Sequence, residues 1–358
     1  MKRRTPPRRR RRRRLLPWLA VGAVAMLAAL AAAAAGVVSW AERELERPRG
    51  TETIELTIER GAPMTAILDQ LAAANVVGDP LLARLHLDYR RSGETLQAGE
   101  YRFEQPMSPV EALDRVIRGE VVTYPVTVIE GLTLLETAES LAGDGFGELD
   151  AFLEAMSSPG LIADLDPAAE SLEGYLFPDT YAFPRGTGEG EIVEAMVSNF
   201  RRRVEDHLDA ASGHSLDLRG LVTLASIVEK EAGAIEERPL VSAVFHNRLE
   251  RGIGLYADPT IIYALKLAGT WDGNLRRRDL ELDSPYNTYV HPGLPPGPIC
   301  SPGEHSLRAA AAPAEAPYLY FVSRNDGTHV FAETLAEHNR NVARWQVRYW
   351  RERRAVQR

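Results

Sequence analysis

Two stretches of the chain share one pattern of apolar positions. In "TIELTIERGAPMTAILDQLAAANVV", Ile54, Leu56 and Ile58 alternate with polar residues, as a half-buried strand requires. Gly61 and Pro63 interrupt the alternation, and Ile67, Leu68 and Leu71 then follow helical spacing. In "YPVTVIEGLTLLETAESLAGDGFG", Val126 and Val128 alternate, Gly131 breaks the pattern, and Leu134, Leu135, Ala138 and Leu141 follow helical spacing. The spacing of about seventy residues predicts an internal strand–turn–helix repeat. Between the copies, "AGEYRFEQPMSPVEALDRVIRGEV" predicts a strand and a short helix. Ser108 is its N-cap, Pro109 its first residue and Glu111 the reciprocal partner of a capping box, with Gly119 at the stop.

From about residue 190 helical spacing dominates. It runs through "GEIVEAMVSNFRRRVEDHL", "LVTLASIVEKEAG" (221–233) and "ERPLVSAVFHNRLERG", and another helix is expected at Asp258-Pro259 with Asp258 as acidic N-cap. "VHPGLPPGPICSPG" (290–303) is too rich in proline and glycine for a helix or central strand. "YLYFVSRNDGTHVF" predicts a hairpin turning at Asn325-Asp326-Gly327, and a last helix is expected from about Thr334. Together these elements predict an α+β fold.

Charge adds a membrane to this picture. Lys2, Arg3, Arg4 and Arg8 to Arg14 put ten of the 42 basic residues in positions 1–14, leaving 32 against 50 acidic residues in the remainder. So acidic a body does not suit nucleic-acid binding, which needs a basic surface. Directly after the basic run, residues 15–40 carry no charge, enough to span a bilayer core of roughly 30 Å as a helix. Trp18 and Trp40 stand near its ends, and the arginines are expected on the cytoplasmic side. The competing reading, a cleaved signal peptide, calls for an apolar core of only about 7–15 residues. Residues 41–50, with Pro48 and Gly50, read as a linker. The single cysteine, Cys300, excludes an intrachain disulfide framework.

No metal-binding or phosphate-binding motif is present, and no cofactor is implied. Carboxylates carry the candidate chemistry. In residues 221–233 the apolar face centres near Leu221 and Val228, Lys230 points away, and Glu229 and Glu231 lie on opposite flanks of that face. Periodicity makes both glutamates half-buried and does not choose between them.

Residues 51–121 resemble a LysM-like module, a small α/β fold that binds glycans rich in N-acetylglucosamine; the competing reading is a packing domain that spaces the rest of the chain from the membrane. A longer resemblance rests on "LEGYLFPDTYAFP" (172–184), "LASIVEKEAG", "VFHNRLERGIGLYADPTIIYAL", "SPYNTYVHPGLPPGPICSPG" and "PYLYFV" (317–322), in that order. This set is similar to the membrane-anchored endolytic murein transglycosylases, the MltG or YceG-like family, over residues 51 to 345. The resemblance implies cleavage of the MurNAc–GlcNAc bond inside peptidoglycan strands (MurNAc, N-acetylmuramic acid; GlcNAc, N-acetylglucosamine), giving 1,6-anhydroMurNAc ends, with a role in cell-wall assembly and in terminating strand growth. The catalytic acid it implies is Glu229. Candidate substrate-binding residues are Glu173, Tyr175, Asp179, Glu231, Asn247, Asp258, Asn287 and Tyr289. The family often has Asn where this chain has Ser301, which puts one loop hydrogen bond in question.

The expected organisation is a cytoplasmic tail (1–14), a single transmembrane helix (15–40), a linker (41–50), the LysM-like module (51–121), a mainly helical transglycosylase domain with a short β-hairpin (122–348) and a basic tail (349–358). The catalytic part is expected outside the cytoplasm, at the inner (plasma) membrane. Expected partners are peptidoglycan strands, the membrane and cell-wall synthases, without nucleic acid. The rival reading is a non-catalytic, membrane-anchored peptidoglycan-binding scaffold.

Overall fold

A computed structural model of the chain describes residues 15–213, 216–349, 351 and 353. The basic run 1–14 and most of the 349–358 tail lie outside the described residues. The chain divides into two compact units, residues 1–123 and 124–358.

The first unit opens with α1 (Leu15–Glu46), the one helix among the described residues long and apolar enough to cross a membrane. It continues past residue 40 into the stretch read as a linker. "AERELE" consists of strong helix formers, and Leu45 is buried. Then follow β1 (Ile54–Ile58), α2 (Met64–Ala73), α3 (Pro80–Arg90), β2 (Gly99–Phe103) and α4 (Pro109–Arg118). β1 and β2 pair antiparallel with Leu56 opposite Tyr101, and Ile67, Leu68, Leu71, Phe103, Leu113 and Val116 fill the core beneath them. The capping box of α4 forms as the sequence predicts: Ser108 Oγ accepts from Glu111 N, Glu111 accepts from Ser108 N, and Gly119 ends the helix at φ +65°.

The second unit begins with the same order: β3 (Tyr124–Thr127), α5 (Leu134–Gly143), α6 (Leu149–Ser157) and β4 (Thr180–Phe183), again with the two strands antiparallel. The repeat therefore extends beyond the predicted strand–turn–helix to a whole βααβ unit. Its turns agree in detail, with Gly61 at φ +79° and Gly131 at φ +81°. The remainder is helical: α7 (Glu189–Ser212), α8 (Leu218–Glu231), α9 (Arg238–Glu250), α10 (Asp258–Leu267) and α11 (Glu304–Ala311) precede the hairpin β5 (Tyr320–Ser323) and β6 (His329–Ala332), and α12 (Leu335–Val342) follows it. α8 is the central helix. Every residue from Leu221 to Val228 is buried, and α7, α9, α10 and α11 pack around it.

One cap is corrected. Asp258 is the first residue of α10 and makes no cap; the N-cap is Ala257, whose amide donates to Thr288 Oγ1 at 3.0 Å. This leaves the Asp258 carboxylate available to accept from Tyr289 Oη at 2.8 Å.

Candidate active site

α8 delivers two carboxyl groups to its C-terminal end, one on each flank. Asp217 caps its start by accepting from Gly220 N, and Ala232, in extended conformation, ends it. Around Glu229 the chain is fixed by hydrogen bonds from distant segments. Ser226 Oγ accepts from Ile299 N at 3.1 Å and donates to Thr223 O, which seats the proline-rich loop on α8. That loop joins the β3–α5 turn through two backbone bonds, Gly131 N to Ser301 O and Ser301 N to Leu132 O. The Ser301 side chain is buried without a hydrogen-bond partner, so its position retains the backbone bonds and lacks a side-chain one.

The Glu229 side chain is only 6% exposed. Its Oε1 accepts from Arg238 Nη2 at 2.8 Å and its Oε2 from Gly303 N at 3.0 Å. The Ser306 hydroxyl, buried, faces the same carboxyl. Arg238, itself buried, also contacts Glu130 Oε2 at 3.3 Å. Loss of solvent raises the Glu229 pKa above the ordinary carboxyl range. The Gly303 amide and Arg238 oppose that shift, and the negative charge of Glu130 adds to it. Lys230 donates to Gly131 O on the β3–α5 turn beside the site. The space is close: a Cβ on Gly303 would stand 2.0 Å from Glu130 Oε1.

Glu231 faces the other flank. It is partly buried, its pKa is raised to about 7, first by burial and then by the neighbouring Asp258 carboxylate, and Arg248 acts against that shift. Arg248 lies between the rings of Tyr256 and Tyr320 and donates to Leu319 O at 2.7 Å. Tyr289 meets Tyr256 edge to face, with ring centroids 5.4 Å apart. Glu231, Asp258 and Tyr289, far apart in sequence, thus form one cluster.

Glu173 belongs to a third cluster. It is buried and accepts from Leu134 N with both oxygens, at 3.0 and 3.1 Å, at the start of α5, and from Tyr263 Oη at 3.2 Å. Burial lifts its pKa to about 7. It lies in a pocket of about 520 Å³ whose walls include Leu135, Lys266 and Trp271. In the first unit, a pocket of about 390 Å³ opens between the β1–α2 turn and residues 95–98.

The remaining predicted residues brace the structure. Tyr175, 1% exposed, donates to Asp166 in the core, and Asn287 is fully buried, donating to Leu280 O and Leu282 O. Expected among the substrate-binding residues, these two are buried here and their hydrogen bonds hold loops. Asn247 donates to Ala316 O and Tyr318 O, and Asp179 accepts from Asn199 Nδ2 and Thr180 N. Sequence reasoning missed Arg238, Glu130 and Gly303. The turn glycine Gly131 stands beside Glu130, and Gly303 closes the matched loop motif, but neither marks a contact with Glu229.

A family model described as the YceG-like family matches residues 56–344. A Bacillus subtilis (strain 168) protein named endolytic murein transglycosylase is 31% identical over 304 residues, covering 80% of this chain and 83% of that protein. A Streptococcus pneumoniae serotype 2 (strain D39) protein of the same name is 30% identical over 323 residues; the match covers 81% of this chain and 58% of that longer relative. A crystal structure of a YceG-like protein from Listeria monocytogenes aligns with a TM-score of 0.55 at 30% identity, covering 81% of this chain and 99% of that one.

Proposed function

The chain belongs to the YceG-like family, and from that premise we propose that it is an endolytic murein transglycosylase, cutting MurNAc–GlcNAc bonds within peptidoglycan strands and leaving 1,6-anhydroMurNAc ends. The observation that carries this reading is the Glu229 carboxyl, almost fully withdrawn from water at the end of α8, with a raised pKa and fixed donors on both oxygens.

In the proposed reaction, protonated Glu229 gives its proton to the glycosidic oxygen as the C1–O bond breaks. The MurNAc 6-hydroxyl then attacks C1, and the Glu229 carboxylate takes the hydroxyl proton. Atoms balance without water: one glycosidic bond is lost, one intramolecular ether is formed, and the acid regains its proton. The acetamido group of the substrate stabilises the cationic centre. A hydrolase needs a second carboxyl to activate water; this reaction does not. Glu231, Asp258 and Tyr289 are the substrate-facing groups on the other flank of α8, and Glu173 with Trp271 offers sugar contacts in the neighbouring pocket.

The first βααβ unit is read as a LysM-like module that takes glycan in the pocket beside its β1–α2 turn. α1 is the membrane anchor, with the arginine run cytoplasmic and the catalytic unit outside, where strands under assembly and their synthases are the partners.

Glu229→Gln is nearly isosteric and cannot supply a proton. It is expected to keep the fold and bind strands while anhydro-ended products from purified sacculi fall by about 10²–10⁴. Glu231→Gln is expected to lose less. A second assignment has its own observation, since Glu231 accepts no hydrogen bond among the described residues and its pKa is raised to about 7. A folded, active Glu229 variant beside an inactive Glu231 variant would transfer the acid role to Glu231. Activity in both would remove the acid from α8.

A further inference from the structure

We infer that Glu130, on the turn between β3 and α5, is a positioning residue for this site: it neutralises Arg238 so that Glu229 can become uncharged. The inference rests on the proposed role of Glu229 as acid.

Arg238 is 8% exposed, and a guanidinium is a fixed positive charge. A buried guanidinium paired with one carboxylate alone would hold that carboxylate ionised, because protonating it strands a buried charge. A paired Glu229 would then be a poor acid. The structure supplies a second carboxylate. Arg238 is shared between Glu229 Oε1 at 2.8 Å and Glu130 Oε2 at 3.3 Å, and both of its terminal nitrogens reach Glu130. When Glu229 carries a proton, Glu130 still balances Arg238. The Glu130 side chain is 40% exposed, so a negative charge there loses little solvation, whereas Glu229 is 6% exposed. The proton therefore belongs on Glu229.

The other groups around Glu229 do not take this role. Lys230, its neighbour on α8, reaches the same β3–α5 turn but donates to the Gly131 carbonyl, and makes no ion pair with either glutamate among the described residues. The 300–306 segment contributes the neutral Cys300 thiol, the Gly303 amide and the Ser306 hydroxyl. Arg238 is the contribution of α9. Glu231 faces Asp258 and Arg248 on the opposite flank.

The repeat supplies an independent comparison. The β1–α2 turn has the same glycine in the same left-handed conformation as the β3–α5 turn, and the residue before that glycine is Arg60, exposed to solvent. The turn itself thus does not require a carboxylate. A carboxylate is found in the copy whose turn touches α8, where Gly131 would bring a Cβ within 3.6 Å of Glu229 Cγ.

The test is the pH dependence of anhydro-end formation by the full chain on purified sacculi, for wild type, Glu130→Gln and Glu130→Asp, with the Glu229 carboxyl titrated separately by carbon-13 NMR. Without the Glu130 charge, Arg238 pins Glu229 in its ionised form. The alkaline limb of Glu130→Gln is expected to move down by about one pH unit, a tenfold loss above the limb that is recovered in acid. Strand binding should be unchanged, and Glu130→Asp should keep most of the wild-type limb. Gly303→Ala gives a second route with the charge retained, because its Cβ displaces the Glu130 carboxylate; its limb should move the same way. An unmoved limb with an unmoved Glu229 titration, or a loss equal at every pH, would overturn the inference. The NMR titration needs no turnover, so it decides the coupling even if Glu229→Gln proves active and the acid assignment fails.

Discussion

Glu173 is a buried carboxyl whose neutral form the fold prefers. Its pKa rises from 4.5 to about 7, chiefly by burial. A group raised in this way stabilises the fold fully below its unfolded value and loses that contribution as pH climbs through about 7. Ionising Glu173 is expected to cost about 3 kcal/mol by pH 8. Glu173→Gln keeps an oxygen for the Leu134 amide and cannot ionise. Thermal unfolding followed by circular dichroism should show the variant gaining on wild type between pH 5 and pH 8; an equal offset at both would show that the ionisation of Glu173 is not coupled to folding. At this scale the sequence was legible where chemistry follows local geometry. Alternation around the α8 helix put Glu229 and Glu231 on opposite flanks, and each has its own partners there. It was silent where partners come from afar: Glu130 lies 108 residues from Arg238, and Gly303 lies 74 from Glu229. No periodicity links positions that meet only through tertiary packing. Burial of loop residues was equally silent, since Tyr175 and Asn287 carry ligand-like groups that the fold turns inward.

The elements that could be read carry strong local signals. α4 has a complete capping box, a proline at its first position and a left-handed glycine at its end. Ser108→Ala removes the acceptor for Glu111 N and a donor to the Glu111 carboxylate, and is expected to destabilise the first unit by about 1 kcal/mol. Denaturant unfolding with a probe in that unit would register the loss, and an unchanged midpoint would mean the cap contributes nothing. α3, α6 and β4 were missed. α3 buries only Ala83 and Leu87 and leaves Leu81 and Leu85 exposed, so its apolar stripe is broken. α6 is nine residues long with two buried positions, and β4 has no fully buried residue. Such elements are held by the neighbours they pack against, and their sequences show little of their own preference.

Across the whole molecule, the repeat was visible as two apolar patterns, but the second helix of each copy and the closing strand of the second were not. Placing the arginine run in the cytoplasm predicts that a reporter fused after Arg358 is active only outside, with the N-terminal run kept in the mature protein. A soluble product beginning beyond the alanine stretch would identify a cleaved leader. α1 ends inside the first unit at Glu46, with Glu42 paired to Arg90 and Glu44 to Arg49. Trp40 to Glu46 rises only about 9 Å. With Trp40 at the lipid boundary, the first βααβ unit stands on a short stiff post, with no slack leash. On the proposed reading, in which this unit takes glycan outside the membrane, its search is a two-dimensional one. It drifts with the lipid and meets the strands nearest the membrane, and strands farther out pass beyond its reach.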